Sequence, residues 1–213
     1  MKTLSEDEVN FLFEWVKNWY PTEAKPKITI LLLNRKEWRR FYLQKGAKIS
    51  REELEKKLDK RMNELPKKHQ VLFQRIRELS QDELYHVIKM IRPHFDEREL
   101  SLDYWMNESL GKCFAMKQLK AMAEMREQDL SPFFQPYLNY DFVIIISNFF
   151  TKEQEKKFES KSQRKIVIYT TIFHELIHVI EHCTGTRIFK TSSLQESMLI
   201  TFHLARKYLE NEI

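Results

Sequence analysis

The chain reads as an α+β protein, predominantly helical, with one small sheet. Three observations carry that reading. Glycine is scarce, at 3 of 213 residues, while 31% of the chain is charged and rich in Lys and Glu, the composition of long helices joined by short loops. Two short runs, KITILLLN over 27–34 and DFVIIIS over 141–147, are apolar and β-branched enough for buried strands. Helix-start signatures of the Ser-x-x-Glu type recur at Ser5, Ser50 and Ser80.

Taken in order, Ser5-x-x-Glu8 opens an amphipathic helix that ends near Tyr20 and Pro21. The 27–34 strand follows, then a helix over about 35–44 that stops at Gly46. Ser50-x-x-Glu53 and Ser80-x-x-Glu83 start further helices, punctuated by Pro66 and Pro93. Residues 96–128 are expected to be one or two helices, whose Tyr104, Trp105, Met106, Phe114, Met116, Met122 and Met125 read as a core stripe. SPFFQPYLNY is a loop with two prolines, and the 141–147 strand comes next. Thr151, with Glu153 and Glu155, begins a charged helix that joins or abuts the one after it.

Composition excludes several classes. Cys113 and Cys183 are the only cysteines and form no CxxC, so neither a disulfide framework nor a zinc ribbon is present. The N-terminus MKTLSEDEVNF is too polar for a signal peptide, and no apolar run approaches the roughly 18 residues of a membrane span. A soluble, cytoplasmic protein without a membrane partner is the expectation.

The most informative stretch is IVIYTTIFHELIHVIEH, 166–182. On a helix, positions four apart lie one above the other, so His174 and His178 can present imidazole nitrogens to one ion. Glu175 stands about 100° round from His174, within reach of a water held there. Two neutral nitrogens with an adjacent carboxylate suit metal-assisted hydrolysis. The surrounding residues are apolar on nearly every side, and buried imidazoles and carboxylates are costly without partners. The bland alternative keeps both histidines hydrogen-bonded in the core and Glu175 in an ion pair.

A hydrolytic zinc normally takes three protein ligands and a water. His182 continues the spacing but lies about 9 Å along the axis from the midpoint of the pair, too far for a straight helix to deliver it. Glu181 is nearly as remote. Glu196 is better placed, because Gly185 can end the first helix and Ser192 or Ser193 can cap a returning one. That helix, LQESMLITFHLARKYL, has helical apolar spacing at Leu194, Met198, Ile200, Thr201 and Leu204. Ser193-x-x-Glu196 is also a capping box, a competing role for the same carboxylate. Glu181 and His182 are left as residues able to orient a ligand or a neighbouring carboxylate.

With these residues in view, the chain resembles the zincin metallopeptidases. HELIH with a downstream helical glutamate is similar to the gluzincin branch, and HELIHVIEH is similar to the antirestriction and ImmA/IrrE-like zincins. The likeness spans about 139–211, and the spacing from His178 to Glu196 is shorter than in the antirestriction group. No Gly-x-x-His follows, which excludes the metzincin branch. The resemblance implies a zincin-like core: a small sheet, a buried active-site helix and a C-terminal glutamate helix. It also implies one zinc per chain on His174, His178 and Glu196, with Glu175 as general base and acid in peptide-bond hydrolysis. A peptide or protein substrate would lie extended along an edge strand near 141–147, by strand addition. Tyr169, His203 and Tyr208 are candidates for the donor that stabilises the transition state.

In this reading 1–213 is one domain, with 139–211 as the metal-binding core and 47–130 as a mostly helical insertion or N-terminal lobe. Charge is uneven across it. Residues 35–77 hold 15 Lys or Arg against 6 Asp or Glu, a local +9 that leaves −4 for the rest of the +5 chain. Such a face suits nucleic acid or an acidic partner, which makes a non-enzymatic zincin-fold binding protein the alternative function. Helices laced with i, i+4 ion pairs, as in REELEKKLDKR, account for the same charge without a partner.

Overall fold

A computed structural model describes residues 1–43, 50–63, 72–81, 83–84, 88, 110–125, 129–150, 155–156, 158, 160–189 and 194–211, without the side chains of 42–43, 61–63, 72–74, 194–196 and 211. The fold is α+β and predominantly helical, with a four-stranded mixed sheet.

A two-residue strand β1 (Lys2–Thr3), which the sequence pattern did not disclose, leads into helix α1 (Glu6–Lys17). The start of α1 is fixed by the expected capping box: Ser5 Oγ accepts from the Glu8 amide at 3.2 Å, and the Glu8 carboxylate accepts from the Ser5 amide at 2.8 Å. Its buried residues Val9, Leu12, Phe13 and Val16 follow the i, i+3, i+4, i+7 rhythm of a single apolar face.

The two predicted strands form the centre of the sheet. Strand β2 (Ile28–Leu33) pairs in parallel with β4 (Phe142–Ser147), from Ile28 opposite Phe142 to Leu33 opposite Ser147. Antiparallel neighbours flank them: β1 on β2, and β3 (Gly111–Ala115) on β4. The spatial order is therefore β1-β2-β4-β3. Ile28, Ile30, Phe142, Ile144 and Ile146 alternate onto one face, where they join the apolar side of α1 and two long helices from the end of the chain.

Two expectations are corrected here. Strand β4 is not an edge: β2 and β3 occupy both of its sides, so no substrate can add to the sheet along 141–147. The outer strand next to it is β3, inside the 96–128 stretch expected to be helical. Only Met116–Met125 of that stretch is described as helix, α5; Met116 is buried as expected, but Met122 and Met125 are exposed. Residues 96–109, with Tyr104, Trp105 and Met106, lie outside the described residues, as do 151–154. The error has a physical cause. GKCFA is half-buried along its length and offers no clean alternation, so its strand state depends on the partner β4.

The chain divides into two compact units. One comprises Met1–Arg35 with Leu110–Ile213, and contains the whole sheet; the other is Lys36–Ser109. The second unit buries Trp38, Phe41, Leu54, Leu58, Ile76, Leu84 and Ile88. Its helices include α2 (Arg35–Leu43), α3 (Arg51–Asn63) and α4 (Leu72–Arg77). Several of its basic residues are ion-paired at the surface: Arg51 with Glu55, Lys56 with Glu52, Lys57 with Glu53, Arg77 with Asp59 and Arg39 with Glu83. That pattern matches the solvated-helix account of the 35–77 charge. Among the described residues, no helix is long and apolar enough to cross a membrane.

Candidate metal centre

The histidines stand on α6 (Lys161–Thr184), a 24-residue helix. Ser160 caps its start, accepting from the Gln163 amide at 3.3 Å, and Gly185 ends it in the left-handed conformation at φ 69°. From Thr170 to Ile180 nearly every residue is buried against the sheet and its neighbours, which holds β-branched residues in a helix that propensity alone would not favour. The buried hydroxyls of Thr170 and Thr171 donate back to the carbonyls of Ile166 and Val167, at 2.7 and 3.0 Å.

His174 and His178 meet at their tips. Their Nε2 atoms are 3.2 Å apart and the rings are nearly perpendicular, at 89°. Two nitrogens bound at about 2.05 Å to one tetrahedral ion would be separated by about 3.3 Å. The pair is thus spaced for a shared cation. Burial, then the neighbouring His178, push the His174 pKa down to about 4 from 6.5, which keeps this imidazole neutral as a ligand must be.

Glu175 packs against β3. It is 7% exposed, and burial pushes its pKa up to about 7 from 4.5, opposed by a hydrogen bond from the Cys113 backbone and by Lys112. The strand comes this close because residue 111 is glycine. A Cβ there would lie 2.6 Å from Thr171 Cγ2 and 2.9 Å from Glu175 Oε1. A glycine inside an apolar stretch is the one sequence signal that could have disclosed this approach.

The segment after Gly185 turns back along α6. Phe189 stacks on His174, with centroids 4.8 Å apart and 15° between planes, and meets the His178 ring edge-on at 5.4 Å. Nothing in the sequence singles Phe189 out. Glu181 is the other contact of this segment: one oxygen is 2.7 Å from His178 Nδ1, and the other accepts from the Ile188 and Phe189 amides at 2.7 and 2.8 Å.

Helix α7 (Leu194–Asn211) then packs on α6, burying Ser197, Thr201, Leu204, Ala205 and Tyr208. This stripe differs from the expected one, since Ile200 is exposed. The backbone of Glu196 lies in the first turn of α7; its side chain, and Ser192 and Ser193, fall outside the description. Among the described residues no three His, Cys, Asp or Glu side chains converge on one point. His182 is exposed with its ring 5.9 Å from Phe142, and His203 is exposed on α7. Tyr169 and Tyr208 sit in an aromatic cluster with Phe173, their own rings 5.1 Å apart.

No family model, curated protein or solved structure matches the chain. A groove of about 440 Å³ is lined by Val167, Thr170, Met198, Leu199 and Phe202. Val167 and Thr170 stand seven and four residues before His174, on the same face of α6.

Proposed function

We propose that this protein is a zinc-dependent peptidase with a zincin-like core of the gluzincin type. The observation that carries the reading is the 3.2 Å approach of the two Nε2 atoms, with Glu175 beside them on the same helix. His174 and His178 supply two ligands, and Glu196 is the third. Two features support Glu196: Phe189, already against His174, is five residues before α7 begins, and Met198 lines the groove beside Thr170. Zinc held there supplies Lewis acidity toward the scissile carbonyl and makes an attacking water more acidic.

Glu175 moves the proton. A carboxylate whose pKa is raised toward 7 by burial can take a proton from the attacking water at its Oε atoms and release it to the leaving amine at neutral pH. The Cys113 amide fixes its orientation, so the group does not have to be ordered at the moment of transfer. The apolar groove one turn before His174 suits a large apolar side chain flanking the scissile bond.

The test combines metal content with turnover of peptides carrying Leu or Phe. The parent protein is expected to bind about one zinc per chain and cleave them. Glu175→Gln should keep the zinc and lose about 100-fold or more in kcat, while His174→Ala should lose the metal. A parent protein that resists zinc loading at neutral pH would defeat the proposal.

A further inference from the structure

We infer that Glu181 is a positioning residue: one carboxylate fixes the tautomer of His178 and fastens the Ile188–Phe189 segment to the face of α6 that carries both histidines. The inference rests on the peptidase reading only for what the histidines bind; the strap itself follows from contacts within the chain.

The geometry leaves the carboxylate little freedom. Oε2 lies 2.7 Å from His178 Nδ1, and Oε1 accepts from two consecutive amides at 2.7 and 2.8 Å. An ionised carboxylate only accepts, so the ring proton of a neutral His178 sits on Nδ1. The lone pair then lies on Nε2, the atom facing His174 Nε2 at 3.2 Å. The same contacts hold Phe189 flat on the His174 ring, so both imidazoles are oriented from a single side chain. The place of Glu181 three residues after His178 makes this possible, since i and i+3 share a helix face.

Glutamine at this position separates the two roles. Its carbonyl oxygen can still accept from both amides, but its NH₂ can only donate, which moves the ring proton of His178 to Nε2. Alanine removes both roles. The test uses the 213-residue chain, first without metal. Nitrogen-15 NMR should find His178 as the Nδ1–H tautomer in the parent and as Nε2–H in Glu181→Gln. Amide exchange at Ile188 and Phe189 should stay slow in Glu181→Gln and quicken about tenfold in Glu181→Ala. Competition against a chromophoric chelator should then show zinc affinity reduced about 10- to 100-fold in Glu181→Gln.

An Nε2–H tautomer in the parent overturns the inference even if a variant does not fold. Unchanged exchange at both amides in Glu181→Ala overturns it too, and neither outcome bears on metal binding. A parent protein with the expected tautomer and protection but no affinity for zinc would instead defeat the peptidase reading and leave the strap supported.

Discussion

At the scale of single residues, Glu175 and His174 pull stability in opposite directions. Without metal, folded Glu175 keeps its proton up to about pH 7 instead of 4.5, so across that window the folded state binds more protons and stability falls as pH rises. His174, lowered to about 4 from 6.5, does the reverse: there the unfolded chain binds more protons and stability rises with pH. In the parent the two contributions largely cancel. Denaturant melts should separate them. Relative to the parent, Glu175→Gln should gain about 3 kcal/mol between pH 4.5 and 7, and His174→Ala should lose ground between pH 4 and 6.5. Parallel pH profiles for parent and variants would show that the groups are not buried as described. Gly111 adds a steric test. Because a Cβ would meet Thr171 at 2.6 Å, Gly111→Ala should cost about 1–3 kcal/mol. It should also lower kcat while leaving zinc content intact, since the displaced atom is Glu175 Oε1 at 2.9 Å.

At the scale of elements, α6 and α7 have different relations to the sequence. The C-terminal limit of α6 could be read from residue type, since Gly185 adopts the left-handed conformation that the helix end required, at φ 69°, whereas its start at Ser160 was not singled out. The capping box of α1 and the spans of β2 and β4 were equally plain, because each rests on a local pattern. Strand β3 was not legible. Its half-exposed residues look like neither period, and pairing with β4 decided the outcome. The Ser193-x-x-Glu196 ambiguity belongs to α7. If Glu196 is a ligand, Glu196→Ala should weaken zinc binding by more than the roughly 100-fold upper end for residues that only orient a ligand. Helicity should barely change. If the carboxylate is only a cap, the same variant should lose about 1 kcal/mol of stability and bind zinc as before.

At the scale of the whole molecule, the division into Met1–Arg35 with Leu110–Ile213 and Lys36–Ser109 makes zinc a probe of one unit. A ligand that binds only folded protein at 100 times its Kd stabilises by about 2.7 kcal/mol. Hydrogen exchange should therefore slow around α6, β3 and β4 on adding zinc, with a smaller change around Trp38 and Leu58 of the other unit. Uniform slowing across both would mean that the two unfold together.

Residue chemistry in sequence was enough for the helical α+β class, both central strands and the pair of imidazoles with an acid beside them. Each of those depends on spacing within one element, where 3.6- and 2-residue periods translate directly into geometry. Tertiary structure alone placed β3 outside β4 and closed 141–147 to a substrate strand. It also brought the Cys113 amide to Glu175 and laid Phe189 on His174. Those contacts join residues far apart in the chain or across an irregular segment, and no local period encodes which of them will meet.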